Sequence, residues 1–356
     1  MARLTDAQAG GANVLRFLDL IAFSEGTSTV RASDDGYNVL YGGGLFQGYA
    51  DDPALTAKVL SDDLYRTGDK VNAARDICSH RGAPLSKGWV QGENLICPYH
   101  GLHFGTDGRC TRIPSEPNAN LTERHRIQMY KTREEYGLIW VLMAGESAPF
   151  AEMPSWHDES FQRILPPSID IAASAGRQVE GFIDVAHFAW IHHEAFAERD
   201  NPVVPTYKAE VTPYGVHAEY VSNVSNFPKS LQHRAPKDFQ WKRTFDVFAP
   251  FTARLTVNFP DPEQRLVILN AASPISARKT RMFCAITRNF DKEMPLEDVY
   301  AFNQQVFEED RDIVELCRPE DLPLDLSLEI HIPADRSSTA YRRALSALGL
   351  GRAFTS

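Results

Sequence analysis

At 356 residues and a formal net charge of −10 at pH 7, the chain is long enough for two domains and too acidic to suggest nucleic acid as a partner. It has no apolar run of about eighteen residues, the length expected of a membrane helix, so no membrane partner is expected. Its five cysteines form no even framework and its start lacks the apolar stretch of a secretory signal, which together predict a cytoplasmic, reducing location.

In chain order, residues 1–55 form a segment apart, too short for a sizeable core by themselves. Short alternating segments with turn signals then run over 56–148, from 70–75 to a closing strand over 136–143, and predict a small antiparallel β domain. A proline-rich connection covers 149–167. Beyond it, strands are expected over 254–259, 265–269 and 280–286, and helices over 180–192, 296–317 and 339–348. Strands and helices are segregated, so 149–356 reads as a mixed α+β domain and the whole chain as α+β.

Two short motifs carry chemistry in the β domain. Cys78-Ser79-His80-Arg81-Gly82 and Cys97-Pro98-Tyr99-His100-Gly101 each pair one cysteine with one histidine. Two thiolates and two imidazoles are the ligand set of a Rieske [2Fe–2S] centre, in which two His replace two Cys on one iron and raise its potential. A zinc site uses the same residue types. Zinc fingers, however, usually separate the cysteine pair from the histidine pair, whereas here each half mixes them.

A second constellation begins at Asp184, with His187 and His192 following in the spacing Asp-x2-His-x4-His. On a continuous helix Asp184 and His187 would share a face, while His192 would be off the repeat unless the helix ended or bulged. Two His and one carboxylate on one octahedral face are the donor set of non-haem iron oxygenases. The carboxylate must come from elsewhere, and the acidic run Glu308-Glu309-Asp310-Arg311-Asp312 offers candidates in Glu309, Asp310 and Asp312. Taken alone, such a run reads as a solvated helix face. His193 reads as structural or as a support behind a ligand, and His331 as structural or at the domain edge.

The stretch 69–108 resembles the Rieske domain of ring-hydroxylating and O-demethylating oxygenases. The downstream motifs are most similar to the group related to vanillate O-demethylase and toluenesulfonate monooxygenase. That resemblance implies Cys78 and Cys97 on one iron of the cluster and His80 and His100 on the other. It also implies a mononuclear Fe(II) on His187, His192 and Asp310. Asp184 is then the carboxylate that joins the two centres, hydrogen-bonded to His187 and to His100 of a neighbouring subunit, which implies a homo-oligomer, a trimer. The family's sheet carries helices that cover the iron. It uses dioxygen as co-substrate to hydroxylate or oxidatively demethylate an aromatic or other planar compound. No G-x-G-x-x-G fingerprint is present, so electrons from NAD(P)H are expected through a separate flavin and iron–sulfur reductase. The other readings are an electron carrier or redox sensor without the second iron, and a glycosidase fusion.

The glycosidase reading comes from residues 17–27 and 36–53, which resemble the first helix and following segment of phage lambda-type lysozymes. The resemblance implies Glu25 as a general acid. A lysozyme cleft needs a second lobe, and nothing downstream supplies one, so no glycosidase activity is expected. The same segment stands where the Rieske family has its opening strand, which is expected to be replaced. Of the aromatic residues of the catalytic part, Phe182, Phe188, Trp190, Phe227, Trp241, Phe248 and Phe251 are expected mostly in the core. Lys242 and Arg243 could meet a substrate carboxylate but read as surface residues.

Overall fold

The computed structural model describes residues 64–67, 70–142 and 150–348, in two compact units that divide between residues 148 and 149. The lysozyme-like segment and Glu25 lie outside the described residues. In the first unit β1 (Leu64–Thr67) pairs antiparallel with β2 (Lys70–Ala74). Two strands therefore precede the cysteine motifs among the described residues, and the segment expected to stand in place of the family's opening strand lies outside them. In β1, Tyr65 is 3% exposed in the core.

β3 (Trp89–Gln91), β4 (Asn94–Ile96), β5 (His103–Phe104) and β6 (Cys110–Arg112) form a four-stranded meander. β7 (Met129–Glu135) and β8 (Leu138–Leu142) complete the other sheet, in the order β1-β2-β7-β8. β8 begins two residues later than the sequence suggests, because Tyr136 and Gly137 both take positive φ and form the two-residue hairpin turn before it. Leu85, Leu95, Phe104 and Ile127 fill the core between the cysteine loops and the strands.

The second unit is an eight-stranded antiparallel sheet with helices packed on it. β9 (Gln162–Ile164) and β10 (Ile169–Ile171) both pair with β16, and α1 (Ala175–Ile183) and α2 (Phe188–Ile191) follow them. β11 (Lys208–Thr212), β12 (Gly215–Ser222), β13 (Trp241–Phe248), β14 (Thr252–Asn258), β15 (Arg265–Ser276) and β16 (Lys279–Arg288) run as successive hairpins. α3 (Leu296–Val314) and α4 (Arg336–Ala347) close the unit. β12 alternates buried and exposed residues over its second half, whereas Val267–Ala272 of β15 and Met282–Arg288 of β16 are buried continuously. Continuous burial is the pattern of strands covered on both faces.

The helices are tied to one another by charge. Arg342 of α4 makes a two-pronged contact with Glu180 of α1, at 2.6 and 2.9 Å. Glu329 sits between them, 2.6 Å from Arg177 of α1 and 2.6 Å from Arg342. Arg177 and Arg342 are 8% and 3% exposed, and paired, hydrogen-bonded charges are the form in which such burial is tolerated.

One expectation fails here. Residues 180–192 are not one helix: α1 ends at Ile183, Asp184 adopts an extended backbone, and α2 starts only at Phe188. The Asp184 carboxylate Oδ1 accepts the backbone N–H groups of Ala186 and His187, at 2.5 and 3.1 Å. This local side-chain turn competes successfully with helix continuation.

Candidate metal centres

The two cysteine–histidine loops have the same construction. Gly82 N–H donates to the Cys78 carbonyl at 2.9 Å, and Gly101 N–H to the Cys97 carbonyl at 3.0 Å. Each glycine has positive φ, 70° and 67°, which lets the chain return to the cysteine it has just left. The return is sealed by Cys78 N–H to Ala83 O and Cys97 N–H to Leu102 O, both 2.9 Å. Cys78 and Cys97 are buried at 2% and 1% exposure. His80 and His100 are exposed, with ring centroids 4.6 Å apart.

The donors are thus sorted into a buried sulfur pair and an exposed nitrogen pair, which fits a two-iron cluster with a thiolate-bound inner iron and an imidazole-bound outer one. Burial, reinforced by the neighbouring Cys97, pushes the Cys78 thiol up to about 11. Metal binding must displace the Cys78 proton.

In the second unit, His187, His192 and Asp310 converge. The two Nε2 atoms are 3.1 Å apart, and Asp310 Oδ1 is 3.4 Å from His187 Nε2 and 3.0 Å from His192 Nε2. Neighbouring ligands of an octahedral metal with bonds of roughly 2.1 Å stand roughly 3.0 Å apart. The three atoms therefore outline one face of such an octahedron.

Both imidazoles are aimed from behind. His187 Nδ1 is 3.2 Å from Asp184 Oδ1, and His192 Nδ1 is 2.8 Å from Glu309 Oε2. A carboxylate on Nδ1 holds the proton there and leaves the Nε2 lone pair for a metal. Burial opposes the charged forms of Asp184 and His187. Their hydrogen bond overrides it, so the carboxyl is held below its ordinary value and the imidazole above. Glu309 is therefore set behind a histidine and not among the converging atoms, and Asp312 points outward in a pair with Arg311 at 2.9 Å.

Other sequence candidates fall elsewhere. His193 Nδ1 is 3.0 Å from the Trp190 carbonyl, and His331 Nε2 is 3.1 Å from the Leu326 carbonyl. Lys242 pairs with Glu219 at the surface. Arg243 is not a surface residue: it is 1% exposed, donates to the carbonyls of Val224 and Ser225, and lies over the rings of Phe188 and Tyr220. Of the seven aromatic residues expected mostly in the core, Trp190 is 56% exposed.

A cavity of about 350 Å³ lies in the same unit, lined by Phe227, Phe259, Phe290 and Phe302, by aliphatic residues, and by Asn226 and Asn303. One wall is α3, which carries Asp310 two turns beyond Asn303. Another is the 226–231 segment, tied to the turn after His192 by Lys229 N–H to Ala195 O at 3.1 Å and Gln232 Nε2 to Phe196 O at 2.7 Å. Among the described residues no helix is long and apolar enough to cross a membrane.

The family model "Vanillate O-demethylase oxygenase C-terminal domain" matches residues 171–350, half of the chain, and "Rieske [2Fe-2S] domain" matches residues 50–131. A weak match to the Endolysin model covers 15–74. The chain is 29% identical over 302 residues to methylxanthine N1-demethylase NdmA of Pseudomonas putida, covering 83% of this chain and 82% of that protein. It is 27% identical over 278 residues to the iron–sulfur subunit TsaM1 of the toluene-4-sulfonate monooxygenase system of Comamonas testosteroni, covering 71% and 78%. NdmA of Pseudomonas putida with caffeine superposes with a TM-score of 0.71 at 27% identity over 82% of each chain. Dicamba monooxygenase, with a TM-score of 0.68 at 20% identity over 82% and 90%, shares the fold. The chain therefore belongs to the vanillate O-demethylase-type Rieske oxygenases: it is a terminal oxygenase with a [2Fe–2S] cluster and a mononuclear iron, using dioxygen and reductase-supplied electrons to hydroxylate or demethylate a small organic substrate.

Proposed function

We propose that residues 56–148 are the electron-accepting domain, with Cys78, His80, Cys97 and His100 holding the cluster. Residues 149–356 are then the catalytic domain, with His187, His192 and Asp310 holding the iron. The observation that carries this reading is the convergence of two Nε2 atoms and one carboxylate oxygen within 3.4 Å. Once bound, the cluster supplies single electrons and the iron supplies dioxygen activation.

The chain's own residues do the rest. Asp184 and Glu309 keep the Nδ1 protons in place and fix both rings. The cavity's phenylalanines exclude water and hold a planar substrate, and its two asparagines offer hydrogen bonds without charge. The relatives named for methylxanthines, toluenesulfonate and vanillate support an aromatic or fused heteroaromatic substrate. Those for methylxanthines and vanillate support attack on an N- or O-methyl group.

The oligomer we infer is a homotrimer in which Asp184 also meets His100 of a second copy. An apolar surface supports it. Ile313 and Ile330, 46% and 95% exposed, line one hollow with Asp184 and His187, and Leu328 and Ile332 flank Ile330. Such a patch marks an interaction surface. The reductase is a flavin and iron–sulfur protein drawing on NAD(P)H, and the location is cytoplasmic, consistent with five unpaired cysteines.

Metal and sulfide analysis of the purified chain tests this. The expected content is about three irons and two acid-labile sulfides per chain. His187→Ala should lose one iron and all turnover while keeping the cluster's visible spectrum. Two irons and two sulfides in the wild type would instead mark an electron carrier.

A further inference from the structure

The apolar cavity has one charged wall. Arg288, the last residue of β16, lines it and is 6% exposed. Its Nε donates to Gln162 Oε1 at 3.1 Å and its Nη2 to the Asp291 carbonyl at 2.7 Å. Its Nη1 reaches only Met294 Sδ, at 3.8 Å, a weak acceptor. The guanidinium has five N–H groups, so two are left over. Among the described residues no carboxylate is within ion-pair distance of it. The nearby Asp291 carboxylate is turned away, held by both Nη atoms of Arg234 at 2.6 and 2.8 Å. Among the described charged residues that line the cavity Arg288 is the one cation, beside the half-buried Asp291 and the exposed Asp298. Asp298, on the same cavity, is exposed and solvated. Holding two neutral acceptors does not require a full charge, and an unpaired buried cation is destabilising.

The length of the cavity sets what could meet that charge. Along α3 the cavity extends from Asp298 to Asn303, and Asp310 follows on the same helix. At a rise of 1.5 Å per residue, Asn303 is about 10 Å and Asp298 about 18 Å from the level of Asp310. Arg288 belongs to the far end. Val299, near the start of α3, packs in one cluster with Ile164 and Ile286, which neighbour Gln162 and Arg288 on their strands.

We propose that Arg288 is the specificity-determining residue of this cavity, and that it selects an elongated aromatic acid. The anionic end of that substrate sits on Arg288, and the methyl or C–H group to be oxidised sits at the other end, by the mononuclear site. A single-ring acid spans too little to reach both. This inference rests on the reading of the cavity as the substrate site.

The probes are 4′-methoxybiphenyl-4-carboxylate, its uncharged carboxamide and the shorter 4-methoxybenzoate, bound anaerobically to the intact holoenzyme and measured by calorimetry. The wild type should hold the biphenyl acid on the order of 10- to 100-fold more tightly than the carboxamide, the worth of one charge-assisted hydrogen bond. It should also prefer the biphenyl acid to 4-methoxybenzoate. Arg288→Gln should erase the acid preference with little change for the carboxamide, and Arg288→Lys should restore part of it. A purely structural role would weaken both probes alike. Equal wild-type binding of acid and carboxamide overturns the inference without any variant, as does failure of both to bind. Phe302→Trp, which fills the cavity, separates the two layers of the argument. If it leaves the binding of both probes unchanged, the cavity assignment fails. If it weakens both while the wild type binds acid and carboxamide alike, only the role of Arg288 fails.

Discussion

Glu309 offers the sharpest test of how the iron site is held. Glu309→Leu removes the acceptor of the 2.8 Å bond to His192 Nδ1, and His192 is 2% exposed, so water has little access to replace it. A buried donor left unpaired costs about 1–3 kcal/mol. His192 can escape that penalty only by turning its ring or changing its tautomer, and either takes the Nε2 lone pair off the metal. At 1.4 kcal/mol per tenfold, the iron affinity should fall about 5- to 140-fold. Glu309→Gln keeps an oxygen beside the ring but loses the charge, and should fall between wild type and Leu. Gln305, whose Nε2 donates to Glu309 Oε1 at 2.9 Å, helps to orient either side chain. The assay is anaerobic Fe(II) titration against a chelator of known affinity, with the visible spectrum of the cluster as an internal control of folding. A folded Leu variant that binds iron as tightly as the wild type would refute the reasoning. It would mean that packing against Phe196, stacked at 4.9 Å, orients His192 by itself.

His80→Cys should retain a cluster but shift its potential downward in voltammetry, because a thiolate adds negative charge; an unchanged potential would remove His80 from the ligand set. Asp184→Asn keeps the shape and loses the charge, so stopped-flow reduction should show slower passage of electrons to the mononuclear site, with iron and sulfide content unchanged. Glu329 should govern part of the acid stability. Burial raises its carboxyl, but Arg177 and Arg342 override that and hold it below its ordinary value. Its stabilising contribution is therefore present above the unfolded value of about 4.3 and is lost as pH falls through the folded one. Thermal melts should show Glu329→Gln less stable at neutral pH and less sensitive to acid; curves running parallel to wild type would contradict this.

Much of the site is legible in short motifs because its geometry is local. A cysteine, a histidine two or three residues on and a glycine after that are enough to close a loop like those at Cys78 and Cys97, and both loops have that form. The long antiparallel strands are legible for a similar reason, since hairpins join neighbours in sequence. The helix expected over 180–192 is not, because an acidic residue inside an apolar pattern can cap as easily as continue. Asp184 caps, its carboxylate taking the N–H groups of Ala186 and His187. Arg243 reads as polar surface by type, yet the carbonyls of Val224 and Ser225 and two aromatic rings accommodate it inside.

The sequence by itself determined the residue types, their local spacing and hence the kind of metal each cluster of donors suits. The family resemblance singles out Asp310 in the acidic run on α3, but only the tertiary structure places Asp310 beside the two Nε2 atoms and Glu309 behind His192. Glu309 and Asp310 are adjacent, so on a helix they project about 100° apart. How α3 is rotated against α1 and the sheet therefore chooses which carboxylate meets the two Nε2 atoms and which backs His192. That rotation follows from burying Val299 and Phe307 against Ile164, Ile286 and Cys284, contacts between segments more than a hundred residues apart or on separate strands. It was set by the apolar face of the helix, and no spacing within the acidic run encodes it.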